Sequence, residues 1–365
     1  MEDKFKNKVV VVTGACGTVG SELVKQLING PHRPSEVVAL DNNESELFFL
    51  EQKYLQDHRI KVSLADVSDK ETLARKFEGA DVVFHCAALK HVVMCERSPE
   101  IAINTNIVGV KNVISACELN QVQTLIFTSS DKAVNPTNVM GTSKLMGERL
   151  ITAANSVSRK GSSVYASTRF GNVLGSNGSV LPIFYNQILS GKPVTITDIE
   201  MTRFIMSITQ AVALVLNSAF MAKGGEVFVT KMPVVRIVDL AEALVAELFD
   251  IGMISDSSLQ MEIIGTKPGE KLYEELMSDE EMRRSVELND YFSVLPAFRG
   301  MYRETNYDYA GLVSGRVHDP YHSGKQPVLS MNEIRRYFRD NSIIEKLTIN
   351  EPIRYWPGDK EEYQV

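Results

Sequence analysis

The stretch that decides the fold is Val9-Val-Val-Val-Thr13, followed at once by Gly14-Ala-Cys-Gly-Thr-Val-Gly20. The β-branched run predicts a buried strand, and residues 19–29 have the apolar spacing of a helix. Glycines between a strand and a helix allow a tight turn, let backbone approach a pyrophosphate, and let the helix pack closely. The free N–H groups at the start of such a helix favour phosphate. The predicted dinucleotide-binding residues are Gly14, Gly17, Thr18, Val19 and Gly20.

Strand and helix patterns continue to alternate through the first half of the chain. Further strands are expected at residues 36–41, 60–64, 81–86, 124–129 and 163–168, and helices at 69–77, 101–119 and 138–157. Short apolar runs that alternate with helices indicate βαβ units, whose parallel sheet is buried on both faces. The predicted fold class is therefore α/β: a Rossmann-like doubly wound parallel sheet with a smaller α/β substrate-binding lobe.

Acidic residues follow the second and third expected strands. Asp41 comes 21 residues after Gly20, where a carboxylate accepts from the adenosine ribose hydroxyl and repels a 2′-phosphate. Because no arginine follows it closely, NAD is predicted rather than NADP. Asp66, in Asp66-Val67, would either meet the adenine amino group or cap the next helix. Ala87 and Ala88 follow the fourth strand and complete the predicted cofactor site.

Composition excludes several other classes of protein. The 365 residues are 44% hydrophobic and 23% charged, which is typical of a globular protein. A net charge of −7 disfavours a broad nucleic-acid surface. The four cysteines form no CxxC pair, so reduced thiols are expected and no metal site is predicted. We expect a cytoplasmic protein without membrane contact, since no signal-peptide pattern or apolar run of about 18 residues is found.

The segment TSSDKAVNPTNVMGTSK (residues 128–144) leaves the fifth strand at the sheet edge where open α/β sheets bind ligands. Further motifs are GACGTVG (14–20), HCAALKHV (85–92), INTNIVGV (103–110), RFGNVLGSNGSV (169–180), MTRF (201–204) and KPGEKLYEEL (267–276). Over roughly residues 8 to 280, the chain resembles the extended short-chain dehydrogenase/reductase superfamily. Within it, the sequence is similar to the UDP-N-acetylglucosamine 4,6-dehydratases of polysaccharide biosynthesis.

One position departs from the superfamily pattern. Met140 occupies the place of the usual tyrosine, four residues before Lys144. A thioether cannot take a proton from a sugar hydroxyl, so the usual tyrosinate base is absent. In the family that the chain resembles, methionine here goes with the branch that retains the configuration at C5.

The resemblance implies a reaction in three steps. NAD⁺ oxidises C4 of the sugar, water is eliminated across C5 and C6, and the reduced cofactor then reduces C6. Asp131 would be the acid toward the C6 hydroxyl and Lys132 the base at C5. An adjacent Asp and Lys favour the opposite resting states, whereas desolvation by substrate favours the useful ones, so the sequence leaves this assignment open. Ser130 would bind the C4 hydroxyl, and Lys144 the nicotinamide ribose.

Other positions match the substrate contacts of the family. By resemblance, Lys90 and His91 border the sugar, and Asn172 contacts diphosphate or sugar. The helix that starts near Val180 would offer N–H groups to phosphate, and the planar fork of Arg203 suits a diphosphate. The base and its ribose would meet Pro193, Thr195 and Glu270. The expected ligand is thus a nucleotide sugar, with UDP or GDP as carrier.

After residue 170 the alternation of strand and helix patterns becomes less regular, which suggests three regions. Residues 1–170 are expected to form the NAD-binding Rossmann domain, to which later strands return. Residues 171–290 would form an interleaved nucleotide-sugar lobe, and residues 291–365 an extension of unassigned role with a helix at 330–339. The final stretch, INEPIRYWPGDKEEYQV, would be a tail or a packing arm.

Two alternative functions stay open on sequence grounds. One is a sugar epimerase of the same superfamily, which Met140 disfavours because the common 4-epimerases resemble the tyrosine form. The other is a non-catalytic NAD-binding regulatory protein, which the paired Asp131 and Lys132 disfavour. Helices near 100–119 and 140–157 would suit a homodimer or higher homo-oligomer interface, by analogy with the superfamily.

Overall fold

A computed structural model describes residues 4–157, 163–176, 178–265, 270–298 and 305–348. The strands are β1 Val9–Thr13, β2 Glu36–Asp41, β3 Ile60–Leu64, β4 Val82–His85, β5 Thr124–Ser130, β6 Val164–Phe170, β7 Asn172–Val173, β8 Val194–Ile196, β9 Thr202–Met206, β10 Val227–Thr230, β11 Val234–Arg236, β12 Met261–Ile263, β13 Ser285–Leu288, β14 Tyr291–Val294 and β15 Leu312–Ser314.

The helices alternate with these strands. They are α1 Thr18–Asn29, α2 Glu44–Lys53, α3 Lys70–Lys76, α4 Val92–Arg97, α5 Pro99–Ile103, α6 Gly109–Leu119, α7 Val139–Val157, α8 Val180–Leu189, α9 Ile208–Met221, α10 Ile237–Asp250, α11 Asp279–Met282, α12 Met331–Asp340 and α13 Ile343–Thr348. A π-helical segment, Asn104–Val108, joins α5 to α6, and short 3₁₀ turns cover Asp131–Ala133 and Ser323–Lys325. No helix within the described ranges is long and apolar enough to cross a membrane.

The main sheet confirms the predicted fold class. Seven strands lie parallel in the order β3-β2-β1-β4-β5-β6-β10, and the five strands expected after β1 are all present. Their side chains are apolar on both faces because helices cover both, so one hydrophobic cluster lies on each side of the sheet. The carboxyl ends of β1, β2, β4, β5 and β6 consequently meet at one edge.

The C-terminal part of the chain extends this sheet. Strand β14 pairs antiparallel with β10, β13 pairs with β14, and β15 pairs with β13, which brings the sheet to ten strands. The boundary expected near residue 290 therefore falls between two strands that pair with each other. The residues after 348, expected to be a tail or packing arm, lie outside the described part of the chain.

A smaller lobe packs beside the carboxyl edge of the sheet. It contains the sheets β11-β9-β7 and β12-β8, together with α8 and α10. Helix α12 begins at a capping box on Ser330 and buries Ile334 and Phe338 completely in the core of this lobe. Residues from the C-terminal extension thus belong to both the main sheet and the smaller lobe.

Candidate active site

The glycines of the first loop make room for a cofactor. Gly14 has a φ of +69°, and a Cβ there would lie 2.6 Å from the backbone nitrogen of Ala87. A Cβ on Gly20 would lie 2.1 Å from the carbonyl oxygen of Gly14, so only glycine lets α1 pack this close to β1. Gly17 caps α1 without a side-chain hydrogen bond, which leaves the first N–H groups of the helix available to a ligand.

A cavity of about 470 Å³ lies beside this loop. Asp41 lines it, and its carboxylate oxygens accept from the backbone N–H groups of Cys16 (2.9 Å) and Asn43 (3.0 Å). Two lone pairs remain for a ligand, since a carboxylate has about four acceptor sites. The other predicted cofactor residues that line the cavity are Gly14, Gly17, Val67, Ala87 and Ala88. The glycine loop, the first N–H groups of α1 and the Asp41 carboxylate together fit a dinucleotide.

Some predicted cofactor residues are not in that lining. Asp66 accepts hydrogen bonds from the Ser68 hydroxyl (2.6 Å) and the Asn42 amide (2.9 Å), which lower the pKa of its carboxyl against the effect of burial. The helix-capping alternative for Asp66 is wrong, because Asp69 caps α3; Asp66 instead holds the turn before that helix. Thr18 and Val19 form the first turn of α1.

Lys144 and Met140 lie one turn apart on α7. The Lys144 ammonium donates to the carbonyl oxygen of Thr128 (3.0 Å) and lies 4.8 Å from the centre of the Phe127 ring. Burial lowers the pKa of Lys144 to about 8. Met140 is 3% exposed and packs with Cys95 and Ala102. Neither side chain belongs to the lining of the two cavities described here. Because a thioether does not ionise, the position of the usual tyrosine carries no ionisable group.

Asp131 and Lys132 form an ion pair at the end of β5. The Lys132 ammonium donates to Asp131 Oδ2 (3.0 Å) and Oδ1 (3.2 Å), and the Ser130 hydroxyl donates to Oδ1 (2.6 Å). Burial opposes ionisation of Asp131, but the charge of Lys132 and these hydrogen bonds outweigh it and lower the pKa of Asp131. Burial likewise opposes the charge on Lys132, yet Asp131 and Glu274 raise its pKa. Both side chains are therefore ionised at rest.

A second cavity, of about 420 Å³, opens beside this ion pair. Its wall joins the main sheet to the smaller lobe, and apolar side chains such as Ile183 and Phe184 form much of it. The predicted site residues that line it are Asp131, Lys132, Asn172, Val180, Thr195, Arg203 and Glu270. Helix α8 begins at Val180 without a side-chain cap, so its first N–H groups are available at the cavity. One cavity thus gathers the predicted acid, base and diphosphate contacts.

Three predicted substrate residues lie outside this lining. Lys90, His91 and Pro193 are all exposed in the loops around the cavity. The His91 ring lies against the backbone of Gly178, where a Cβ would come within 2.7 Å of its Cε1 atom. Gly178 does line the cavity, so His91 supports the wall from behind.

Glu274 is a site residue that sequence reasoning missed. It lines the second cavity at 6% exposure, accepts from the Asn172 amide (2.7 Å) and the Phe204 N–H (3.1 Å), and lies 3.3 Å from Arg203 Nε. Burial and the charge of Asp131 raise the pKa of Glu274 to about 7, against the effect of Arg203 and Lys132. Glu270, Glu274 and Glu275 occur within six residues, and the sequence gives no sign that Glu274 alone is buried.

A family model described as "polysaccharide biosynthesis protein" matches residues 10–296. The chain is 47% identical over 292 residues to an uncharacterized membrane protein of Methanocaldococcus jannaschii, covering 80% of this chain and 87% of that protein. It is 40% identical to the probable polysaccharide biosynthesis protein EpsC of Bacillus subtilis, covering 77% of this chain but 47% of EpsC. It is 39% identical to a UDP-glucose 4-epimerase of Rickettsia massiliae, covering 80% and 83%.

Solved structures agree with the architecture. Pen from Bacillus thuringiensis superimposes with a TM-score of 0.84 at 35% identity, covering 93% of this chain and 99% of Pen. The dTDP-glucose 4,6-dehydratase DesIV of Streptomyces venezuelae, solved with NAD bound, has a TM-score of 0.63 at 21% identity, covering 72% and 86%. That likeness concerns the fold alone. The chain therefore belongs to the polysaccharide biosynthesis protein family, within the extended short-chain dehydrogenases/reductases.

Proposed function

We propose that this chain is an NAD-dependent nucleotide-sugar 4,6-dehydratase, which converts UDP-N-acetylglucosamine or a GDP-linked equivalent to the 4-keto-6-deoxy sugar. The observation that carries the proposal is the Asp131–Lys132 ion pair in the wall of the second cavity, combined with the burial of Met140 among apolar side chains. Water elimination requires an acid and a base close together, and this pair supplies both groups. At the position of the usual tyrosine, Met140 supplies no tyrosinate base.

The first cavity would hold the cofactor. Gly14, Gly17 and the first turn of α1 would receive its pyrophosphate, and Asp41 would accept from the adenosine ribose, which favours NAD over NADP. When bound, NAD⁺ would supply the oxidising and reducing equivalents for C4 and C6 of the sugar. Lys144, with its ammonium near the end of β5, would bind the nicotinamide ribose.

The acid and base would reach their active states by moving one proton. At rest, the proton is on Lys132 Nζ and the Asp131 carboxylate accepts a hydrogen bond from it at 3.0 Å. Transfer along this bond gives a neutral amine and a neutral carboxylic acid. A bound sugar that excludes water favours this neutral pair. Lys132 Nζ can then accept the C5 proton while Asp131 donates to the leaving C6 hydroxyl. When C6 is reduced, Lys132 returns the proton to C5, and the proton released from the C4 hydroxyl during its oxidation restores the Lys132 ammonium.

The nucleotide end would be held by polar groups at the rim of the smaller lobe. Arg203, Asn172 and the N–H groups at the start of α8 suit a diphosphate. Thr195 and Glu270 would contact the base and its ribose, and the apolar wall of α8 would exclude water. Lys90 and His91 would border the sugar from the loop after β4.

An epimerase is the second candidate, because the Rickettsia relatives are described as UDP-glucose 4-epimerases at 39% identity. Both reactions begin with oxidation at C4, but the common 4-epimerases resemble the tyrosine form, whereas this chain has Met140 at that position. Epimerisation does not require an acid at C6. The ion pair and the methionine therefore favour dehydration over epimerisation.

Incubation with NAD⁺ and UDP-N-acetylglucosamine, and in parallel GDP-linked sugars, tests the proposal. We expect a product lighter by one water, with no net accumulation of NADH, as followed by mass spectrometry and absorbance. A product of unchanged mass with inverted C4 would establish the epimerase instead. No conversion of any of these sugars would contradict both.

A further inference from the structure

The guanidinium of Arg203 is already occupied by protein groups. Its Nε lies 3.3 Å from Glu274 Oε1, and its Nη2 lies 3.7 Å from Glu270 Oε1. The remaining N–H groups donate to the carbonyl oxygens of Thr202 (2.8 Å), Lys271 (3.0 Å) and Leu272 (3.3 Å). The side chain best suited to a diphosphate must therefore give up some of these partners before it can bind a diphosphate.

Glu274 is fixed from the opposite side. Its carboxylate accepts from Asn172 and from the Phe204 N–H, and its own backbone N–H donates to the Ser323 hydroxyl (2.9 Å). Ser323 is fully buried and comes from the segment before α12. Glu274 cannot follow Arg203 toward a ligand, so movement of Arg203 would leave a buried carboxylate without its cation.

The charge around the cavity makes this costly. Among the described residues of its wall, four carboxylates (Asp131, Glu270, Glu274 and Glu275) face three cations (Lys132, Arg203 and Lys271). His322 lies behind Glu275, and burial lowers its pKa. A diphosphate adds two more negative charges. One carboxylate must be neutralised, and burial has already raised the pKa of Glu274 to about 7.

We propose that the diphosphate of the substrate displaces Arg203 from Glu274, and that Glu274 takes up one proton from solvent as this happens. The inference rests on the proposed function, since it requires a diphosphate ligand. The new O–H bond forms on the Glu274 carboxyl, the N–H groups of Arg203 turn to phosphate oxygens, and no substrate bond breaks. Glu274 is a positioning residue that links nucleotide affinity to pH.

Calorimetric titration tests this directly. The probes are the hexyl esters of UDP and of GDP, which have a diphosphate but no reactive sugar, added to the full chain with NAD⁺. Heats measured in buffers of different ionisation enthalpy give the number of protons taken up. Above about pH 7, we expect uptake approaching one proton and a Kd that rises by up to about tenfold per pH unit.

Two variants assign the proton to a residue. Glu274→Gln keeps the size of the side chain but cannot ionise, so proton uptake and the pH dependence of Kd should disappear. Glu275→Gln is the matched control, because Glu275 lines the same cavity but pairs with Lys271 (2.9 Å) instead of Arg203. On binding an ester, the Glu275→Gln variant should take up the same number of protons as the unaltered chain.

The outcomes separate this inference from the proposed function. Binding of an ester by the unaltered chain without proton uptake would overturn the inference and leave the function standing. Equal loss of uptake in both variants would overturn the assignment to Glu274. Failure of both esters to bind would overturn the nucleotide-sugar function and this inference together.

Discussion

Asp131 and Lys132 are neighbours in sequence, and a strand would send their side chains to opposite faces of the sheet. They meet because β5 ends at Ser130 and the chain turns into the 3₁₀ segment Asp131–Ala133. The Ser130 hydroxyl accepts from the Lys132 N–H (3.3 Å) and donates to the Asp131 carboxylate, which holds this turn. The pairing is therefore a property of the turn as much as of the two residues.

Removing either ionisable group should slow elimination strongly without unfolding the protein. We expect Asp131→Asn and Lys132→Met each to lower kcat by about 100- to 10,000-fold, the usual contribution of an acid or base. Product formation measured by mass spectrometry at saturating substrate checks this.

Lys231→Met is the control for that experiment. Lys231 also forms an ion pair, with Glu287 (2.7 Å), but it lies outside the lining of both cavities. The kcat of Lys231→Met should stay within about twofold of the kcat of the unaltered chain. Turnover by Asp131→Asn or Lys132→Met at the rate of this control would refute the assigned roles.

At the scale of elements, the first βα unit depends on a contact that one methyl group would break. A Cβ on Gly20 would lie 2.1 Å from the Gly14 carbonyl oxygen, so α1 would have to move away from β1. We expect Gly20→Ala to weaken NAD binding by more than about tenfold, because the loop and the helix terminus both contribute to the phosphate site. Fluorescence titration with NAD⁺, together with the melting temperature, measures the effect.

Gly315→Ala provides the comparison, since a Cβ there meets no atom within 4 Å. Its NAD affinity and melting temperature should match those of the unaltered chain. If Gly20→Ala bound NAD⁺ as tightly as Gly315→Ala does, the close packing of α1 would have no part in cofactor binding.

The parallel strands were predictable because each is a short apolar run bounded by polar residues. The expected helix 101–119 is interrupted by the π segment Asn104–Val108, which local periodicity did not show. That segment directs the buried Asn106 toward the loop after β4, where its side chain accepts from the Leu89 N–H (2.8 Å) and donates to the Leu89 carbonyl (3.0 Å). The cause is a contact distant in sequence.

Strands β13, β14 and β15 were not predicted for a similar reason. Each has three or four residues, and polar positions in β13 and β14 hide any period. Strand β14 forms because β10, more than 60 residues earlier, leaves an edge to pair with. Glu274 was missed on the same grounds: its burial depends on Asn172, Phe204 and Ser323, which lie far away in the sequence.

For the whole molecule, Arg169 joins β6 and α7 to a segment more than 100 residues later in the chain. It is completely buried at the end of β6, where it pairs with Glu148 of α7 (2.5 Å) and Glu281 of α11 (3.0 Å) and donates to the Leu276 carbonyl (2.8 Å). Burial opposes charge on Glu281, but Arg169 outweighs it and lowers the pKa of Glu281 to about 2. This pair therefore stabilises the fold above the ordinary pKa of a glutamate, and its contribution is lost as pH falls toward 2.

Arg169→Met should lower the free energy of unfolding at neutral pH by about 3–5 kcal/mol, because two buried carboxylates lose their cation. Urea denaturation measures the change. Arg236→Met is the control, since Arg236 pairs with Asp239 at the surface and should cost less than about 1 kcal/mol. Equal destabilisation by the two variants would show that the buried ion pairs contribute no more to the free energy of unfolding than the surface pair does.

Association of copies remains a prediction at this scale. Helices α4, α5 and α7 expose apolar side chains, among them Met94 (58%), Ile101 (54%) and Met146 (46%). Of these, α5 and α7 belong to the stretches near 100–119 and 140–157 that are expected to form a homo-oligomer interface.

The hydrogen bond between the Glu274 N–H and Ser323 also sets an order of events during synthesis. Strands β1 to β6 and the glycine loop come from the first 170 residues, so a nascent chain can build the nucleotide cradle early. The backbone of residues 274–276 gains its partners, Tyr321 and Ser323, only when nearly all of the described chain has been translated. A ribosome-bound intermediate should thus acquire affinity for the dinucleotide well before it can bind the sugar substrate.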